Sequence, residues 1–312
     1  MSYNKFVNVN YNIAEPKWKI GKHDIVKIER SSVDYPEKLR SIPDSPKQLY
    51  CAGDVSLLKE RSIAIVGSRK HTVYGKNVSL MIGRILGEKG IPVTSGLALG
   101  IDAFSHEGAL ETGGRVIGVL GGGIEVMGPQ RNKNLMMRGL DAGGLVISEY
   151  EPTYPAQPMT FPARNRIISG LAEALIVVEA GMNSGSLITA NHALQQGRPV
   201  YAVPGPINSQ FSIGCNLLIR DGATPLVIVE DIIRDLKITA SAKTANPSHP
   251  NVNLEGDELE IYEALSILGS ATIDELVRET GKSASLINAV VTVMEIKGIS
   301  ETYAGRVYIS NR

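Results

Sequence analysis

Between residues 62 and about 236, short apolar runs alternate with longer amphipathic stretches. The runs SIAIVG, IPVTSG, RVIGVLGG, GLVISE, ALIVVEA and PVYAVPG are rich in Val and Ile. They lack the in–out alternation of half-exposed strands, which is how strands buried on both faces read. Helical periodicity marks 74–89, 101–112, 133–140, 186–196 and 213–221 between them. Strand alternating with helix predicts an α/β fold with a parallel, doubly wound sheet. Several runs end in small residues or Glu, as at Gly67, Ser95–Gly96, Glu149 and Glu179. In open sheets of this kind ligands bind beyond the carboxyl ends of the strands, where helix N-termini direct free N–H groups outward.

The flanks are patterned differently. Residues 1–60 read as an irregular lead-in with one strand, DIVKIERSS, and a Pro-rich segment, YPEKLRSIPDSPKQLY. The core is expected over 61–238. Residues 239–254, with TASAKTANPSHPNVN, have the Ser, Ala, Pro and Asn bias of a linker. Residues 255–312 open on an apolar-periodic helix (Leu259, Tyr262, Leu265), followed by ATIDELVRETG, SASLINAVVTVMEIKG and ETYAGRVYIS. Three helices and a Tyr-Ala-Gly-Arg turn between short strands predict a winged-helix domain.

Composition narrows the function classes. A chain of 312 residues with 43% hydrophobic and 21% charged residues is an ordinary globular protein. Cys51 and Cys215, the only cysteines, make neither a disulfide framework nor a zinc site, so no metal is expected. No apolar run reaches the roughly 18 residues of a membrane span. The opening MSYNKFVNVNYN has no signal-peptide pattern, so a cytoplasmic protein without membrane association is expected. Net charge is zero, yet residues 255–312 carry five basic and ten acidic residues, a net −5 that leaves +5 for the rest. A nucleic-acid surface would therefore lie in the first part.

Four segments carry candidate chemistry. In VGSRKHTVYGKN, Gly67 and Ser68 precede Arg69 and Lys70, and neither a dinucleotide fingerprint nor a P-loop fits. A bend at a strand end with two cations suits a phosphate, which Arg69 can hold bidentately. In SGLALGID, Ser95 and Gly96 end a strand, and Asp102 and His106 share a helix face, predicting an ion pair or a cap. A hydrolytic triad of Ser95, His106 and Asp102 has no nucleophile elbow to support it. FPARNRII sets Phe161 beside Arg164, Asn165 and Arg166, a ring for stacking an unpaired base and guanidinium groups for its phosphates. The chain has only four Phe and one Trp, so any stacking platform is sparse. Finally, Ser184, Gly185 and Ser186 open a helix with Thr189 one turn in, either an anion site or simply an N-cap.

As a series, GSR at 67–69, SGLALGIDAFSHEGAL at 95–110, FPARNRIISG at 161–170, SGSLIT at 184–189 and AVPG at 202–205 resemble the motifs of the DprA/Smf family in order and spacing. The resemblance implies an extended Rossmann-like fold that binds single-stranded DNA, protects it and helps load RecA recombinase during natural transformation or repair. It also implies a homodimer and no cofactor or catalytic residues. It places Arg69 and the stretch from Phe161 to Arg166 in the DNA pocket. Two departures stand out: no complete SAM-like domain is expected in the lead-in, residues 1–60, and Gly128-Pro129 stands where the family often has Tyr-Pro. The acidic winged helix lacks the cations that DNA backbone contacts need and reads as a protein-interaction or regulatory module. The competing reading is a nucleotide-processing enzyme similar to the LOG phosphoribohydrolases. Their P-G-G-x-G-T-x-x-E motif corresponds to residues 181–189 here, which lack the glutamate, leaving Glu149 or Glu179 to substitute. A third, a nucleotide sensor whose winged helix binds duplex DNA, conflicts with that domain's charge.

Overall fold

All six apolar runs are strands of one sheet. The computed structural model describes residues 18–126, 130–238, 254–268, 270–303 and 305–309. Its strands are β1 (Trp18–Ile20), β2 (His23–Glu29), β3 (Gln48–Gly53), β4 (Ser62–Val66), β5 (Val93–Ser95), β6 (Val116–Leu120), β7 (Leu145–Ser148), β8 (Ala172–Val177), β9 (Val200–Ala202) and β10 (Thr224–Pro225). They are ordered β1-β2-β3-β7-β6-β5-β4-β8-β9-β10. From β7 to β10 every pairing is parallel, the predicted doubly wound arrangement.

The helices are α1 (Glu37–Arg40), α2 (Val73–Glu88), α3 (Ile101–Glu111), α4 (Gln130–Asp141), α5 (Thr160–Leu171), α6 (Gly185–Gln195), α7 (Ile213–Arg220) and α8 (Val229–Asp235). They cover the sheet from both sides. Ile167, Ile168 and Leu171 of α5 and Ala190 and Ala193 of α6 pack with Val66, Leu175 and Val177. Ile82 and Leu86 of α2 and Ile101 and Ala109 of α3 pack with Ile63, Ile65 and Ile176. Alternate residues of β4 and β8 thus face different cores, which is why both strands read as apolar runs, interrupted only by Ser62 and Glu173 near their starts. Cys51 and Cys215 are buried, and burial raises the pKa of both thiols.

The lead-in is more regular than its sequence predicts. Its described part contributes three strands: β3 pairs antiparallel with β7, and β2 and β1 extend that edge. Tyr35, Leu39 and Ile42 of the Pro-rich segment join the main core. QLYCAG has no β-branched residue, so Tyr50 is the one strand-favouring residue among its four buried positions, Leu49 to Ala52.

The chain divides into two compact units, Met1–Lys243 and Thr244–Arg312. The second is a winged helix of α9 (Asp257–Leu268), α10 (Ile273–Thr280), α11 (Ala284–Ile296), β11 (Ser300–Tyr303) and β12 (Arg306–Ile309). Ile261, Leu265, Leu276, Ile287, Val291 and Met294 form its own core. Thr272 and Glu275 close a capping box at the start of α10. Nearly all of the expected linker, residues 239–253, and Gly128-Pro129 lie outside the described residues.

Candidate functional site

Strand order reverses between β4 and β8: β5, β6 and β7 follow on one side, β9 and β10 on the other. Loops leaving two such strands run to opposite faces and open a crevice between them. A cavity of about 820 Å³ occupies this position. Eleven of the fourteen expected binding residues line it: four (Gly67, Ser68, Arg69, Lys70) from the loop after β4, three (Phe161, Arg164, Asn165) from α5, and four (Ser184, Gly185, Ser186, Thr189) from the start of α6.

The loop after β4 is fixed by backbone contacts. Ser68 N–H donates to Glu179 O (2.8 Å), and Ser68 O accepts from Ile101 N–H (3.3 Å). Gly100, with φ of +85°, lies so close that a Cβ there would stand 2.5 Å from Ser68 O. Thr72 caps α2 by accepting from Gly75 N–H (3.1 Å) and donates its own N–H (3.0 Å) and hydroxyl (2.6 Å) to the Glu179 carboxylate. Arg69 and Lys70 are left exposed. The Arg69 guanidinium lies over the Phe161 ring, 5.4 Å from its centroid, while Phe161 is half-buried. At the opposite wall, Ser184 caps α6 through Ser186 N–H (3.4 Å), and the two hydroxyls are 2.7 Å apart.

The other two arginines of the FPARNRII stretch behave differently. Arg164, 4% exposed, lies against the cavity but spends Nη1 on Gly96 O (2.7 Å) and Val119 O, joining the ends of β5 and β6. Burial pushes its pKa down to about 10, offset in part by the charge of Asp102, so it remains a cation at neutral pH. Asn165 accepts from Arg164 Nε (3.2 Å) and donates to Gly185 O (3.2 Å), tying α5 to α6.

Arg166, Ser95 and Gly96 are not among the lining residues. Arg166 is 8% exposed, and its guanidinium holds Glu149 bidentately at 2.8 and 2.7 Å, with Asp44 at 2.9 Å. On a helix, residues two apart point to different faces, so Arg164 and Arg166 cannot share one pocket wall. Ser95 donates to Ile65 O (2.5 Å), and Gly96 N–H donates to Asp102 (3.1 Å). The expected Asp102–His106 pair does not form. His106 is fully buried, its ring facing the Val93 backbone with neither nitrogen in a hydrogen bond of good geometry, and burial lowers its pKa to about 4. Glu149 and Glu179, the carboxylates considered for a phosphoribohydrolase, are committed to Arg166 and Thr72 and do not line the cavity.

Phe211 and Gln210, from the loop before α7, line the cavity without having been read from the sequence. That loop has no Gly-rich or basic motif. Its one signal is compositional, since a chain with four Phe gives each of them weight. The crevice thus gathers two exposed cations, two aromatic rings and the capped N-terminus of α6, a set suited to a charged backbone bearing flat groups.

Comparison with known proteins agrees in kind. Residues 27–237 match the family model "DNA recombination-mediator protein A", and residues 245–306 match "DprA winged helix domain". Protein Smf of Escherichia coli is 41% identical over 210 residues, 67% of this chain and 56% of that protein. DNA processing protein DprA of Bacillus subtilis is 44% identical over 207 residues, 66% of this chain and 69% of that protein. The X-ray structure of DNA processing protein A from Streptococcus pneumoniae aligns with a TM-score of 0.63 and 39% identity over 68% of this chain and 74% of its own. A Helicobacter pylori DNA processing protein A structure concerned with its single-stranded DNA binding mode aligns with a TM-score of 0.61 and 29% identity. It covers 69% of this chain and 96% of its own.

Proposed function

The chain belongs to the DNA recombination-mediator protein A family, and from that membership we propose that it binds single-stranded DNA in the crevice between β4 and β8. The observation that carries this is the Arg69 guanidinium beside the Phe161 ring at the cavity wall. Arg69 offers a planar fork that matches a phosphate, Lys70 adds charge, and the hydroxyls and N–H groups at the start of α6 donate to a second anionic oxygen. An aromatic wall takes a base by its face, which tolerates any sequence but requires the base to be unpaired. A duplex hides those faces, so the site selects single strands. The single-stranded DNA binding mode of the H. pylori relative supports this reading.

On the same reading the protein shields unpaired strands and helps load RecA in natural transformation, competence or repair, acting as a homodimer rather than as an enzyme. These finer roles rest on the family resemblance. Stimulation of RecA filament assembly, nuclease protection and a molecular mass from light scattering test them in turn.

The central test is fluorescence anisotropy with single- and double-stranded oligonucleotides across salt concentrations. The wild type is expected to prefer the single strand, with affinity falling as salt rises. Arg69→Ala is expected to weaken binding to all sequences alike and reduce the salt slope by about one. An Arg69→Ala protein with unchanged affinity and slope would falsify the site.

A further inference from the structure

The Phe161 ring is a partly occupied platform. The Arg69 guanidinium covers it at 5.4 Å, and the same ring packs so closely on Gly121 that a Cβ there would stand 3.0 Å from Phe161 Cδ1. An incoming base must displace Arg69 from this ring or stack elsewhere in the cavity.

Phe211 offers the alternative. It lines the same cavity from the loop before α7 and is half-buried, and among the described residues no cation or second ring lies on it. Its backbone is held from both sides. Its carbonyl accepts from Ala180 N–H (2.8 Å), and its N–H donates to Ser209 Oγ (3.3 Å). Ala180 O in turn accepts from Gly214 N–H (2.8 Å), and a Cβ on Gly214 would stand 2.7 Å from that oxygen. The start of α7 is therefore clamped to the residues just beyond β8. An aromatic ring on a loop fixed before binding loses little conformational freedom when a flat ligand settles on it. The cavity, about 820 Å³, has room for more than one base.

We propose that Phe211 is a base-stacking residue of this cavity: an unpaired base rests on its ring while Arg69 holds the phosphate backbone. The proposal rests on the single-strand reading above and adds a second wall to it. Stacking contributes by the base and not by the phosphate, which makes the two separable.

The experiment uses the full chain, a labelled dT20 and an abasic oligonucleotide of the same length. Phe211→Leu keeps apolar bulk and removes the π-face. It is expected to weaken dT20 binding about 5- to 150-fold, the loss of one stacked base, with no change in salt slope. On the abasic oligonucleotide it should match the wild type. Phe211→Trp is expected to retain affinity, with emission of the introduced indole quenched by dT20. Wild-type affinity of Phe211→Leu for dT20, an equal loss on the abasic strand, or indole emission unchanged at saturation overturns the assignment. If Arg69→Ala still weakens binding in that case, the single-strand reading stands and only Phe211 falls. A wild type that ignores dT20 removes both. Should Phe211→Leu melt early, the indole readout decides.

Discussion

Three arginines near the crevice have the same charge and different tasks, and their neighbours decide which. Arg69 stands exposed over a ring, with its hydrogen-bonding edge available to a ligand. Arg164 is buried and holds the Gly96 and Val119 carbonyls. Arg166 is locked to Glu149 and Asp44. Removing Arg166 would leave the Glu149 carboxylate, whose side chain is only 16% exposed, without its cation. Breaking one half of such a buried pair typically costs about 3 kcal/mol or more, because the remaining charge is stranded. Arg166→Ala is therefore expected to lower the free energy of unfolding by that order while leaving the salt slope of DNA binding at its wild-type value. Chemical denaturation and anisotropy on the same preparation check both halves. A normal melt with a flattened slope would reassign Arg166 to the ligand.

At the scale of elements, β2 and the strands β4 to β9 were legible, while β1, β3, β10 and α5 were not. β6 is a continuous apolar run, and β4 and β8 are apolar beyond Ser62 and Glu173, as strands buried on both faces read. In α5, the motif FPARNRII conceals a helix: Pro162 stands in its first turn, where a missing N–H breaks no helical bond. Its inward positions include Arg164 and Arg166, so polar residues interrupt the apolar stripe that would have signalled a helix. Asp102 and His106 on α3 mislead in a related way: the spacing that allows a pair says nothing of which neighbour each side chain meets. His106 lies fully buried, and its pKa falls from 6.5 to about 4. Above pH 6.5 the imidazole is neutral folded or unfolded and has no effect on stability. As pH drops from 6.5 towards 4 the unfolded chain takes up a proton that the folded chain refuses, and stability falls by about 3 kcal/mol in all. Asp102, whose carboxyl pKa is raised by burial, works in the opposite sense, so wild type should be compared with His106→Leu. The expected result is a smaller loss of melting temperature between pH 6.5 and 4 in the variant. Parallel curves for the two proteins would refute it.

For the whole molecule, charge and architecture divide the labour between the two units. Residues 244–254 contain no Asp, Glu, Lys or Arg, so the winged-helix unit carries the whole −5 and the first unit +5. In winged-helix and helix-turn-helix proteins that grip duplex DNA, one helix enters the major groove and basic side chains hold the flanking phosphates. The last helix here, α11, contains no Lys or Arg, and its exposed positions include Leu286, Val293 and Ile296. A surface with that chemistry has nothing with which to release counterions from a phosphate backbone. The residues that line the crevice all belong to the first unit, which has its own hydrophobic clusters on both faces of the sheet. A chain ended at residue 243 is therefore expected to fold, to bind dT20 within about twofold of the full chain, and to show the same salt slope, since the phosphates it neutralises are unchanged. Loss of acidic charge from the same molecule should, if anything, speed association at low salt, where long-range attraction is least screened. Stopped-flow association and equilibrium anisotropy on the two chains measure these together. A tenfold weaker truncated chain with a shallower slope would mean that the acidic unit supplies phosphate contacts after all, and the assignment of DNA binding to the β4/β8 crevice alone would have to be abandoned.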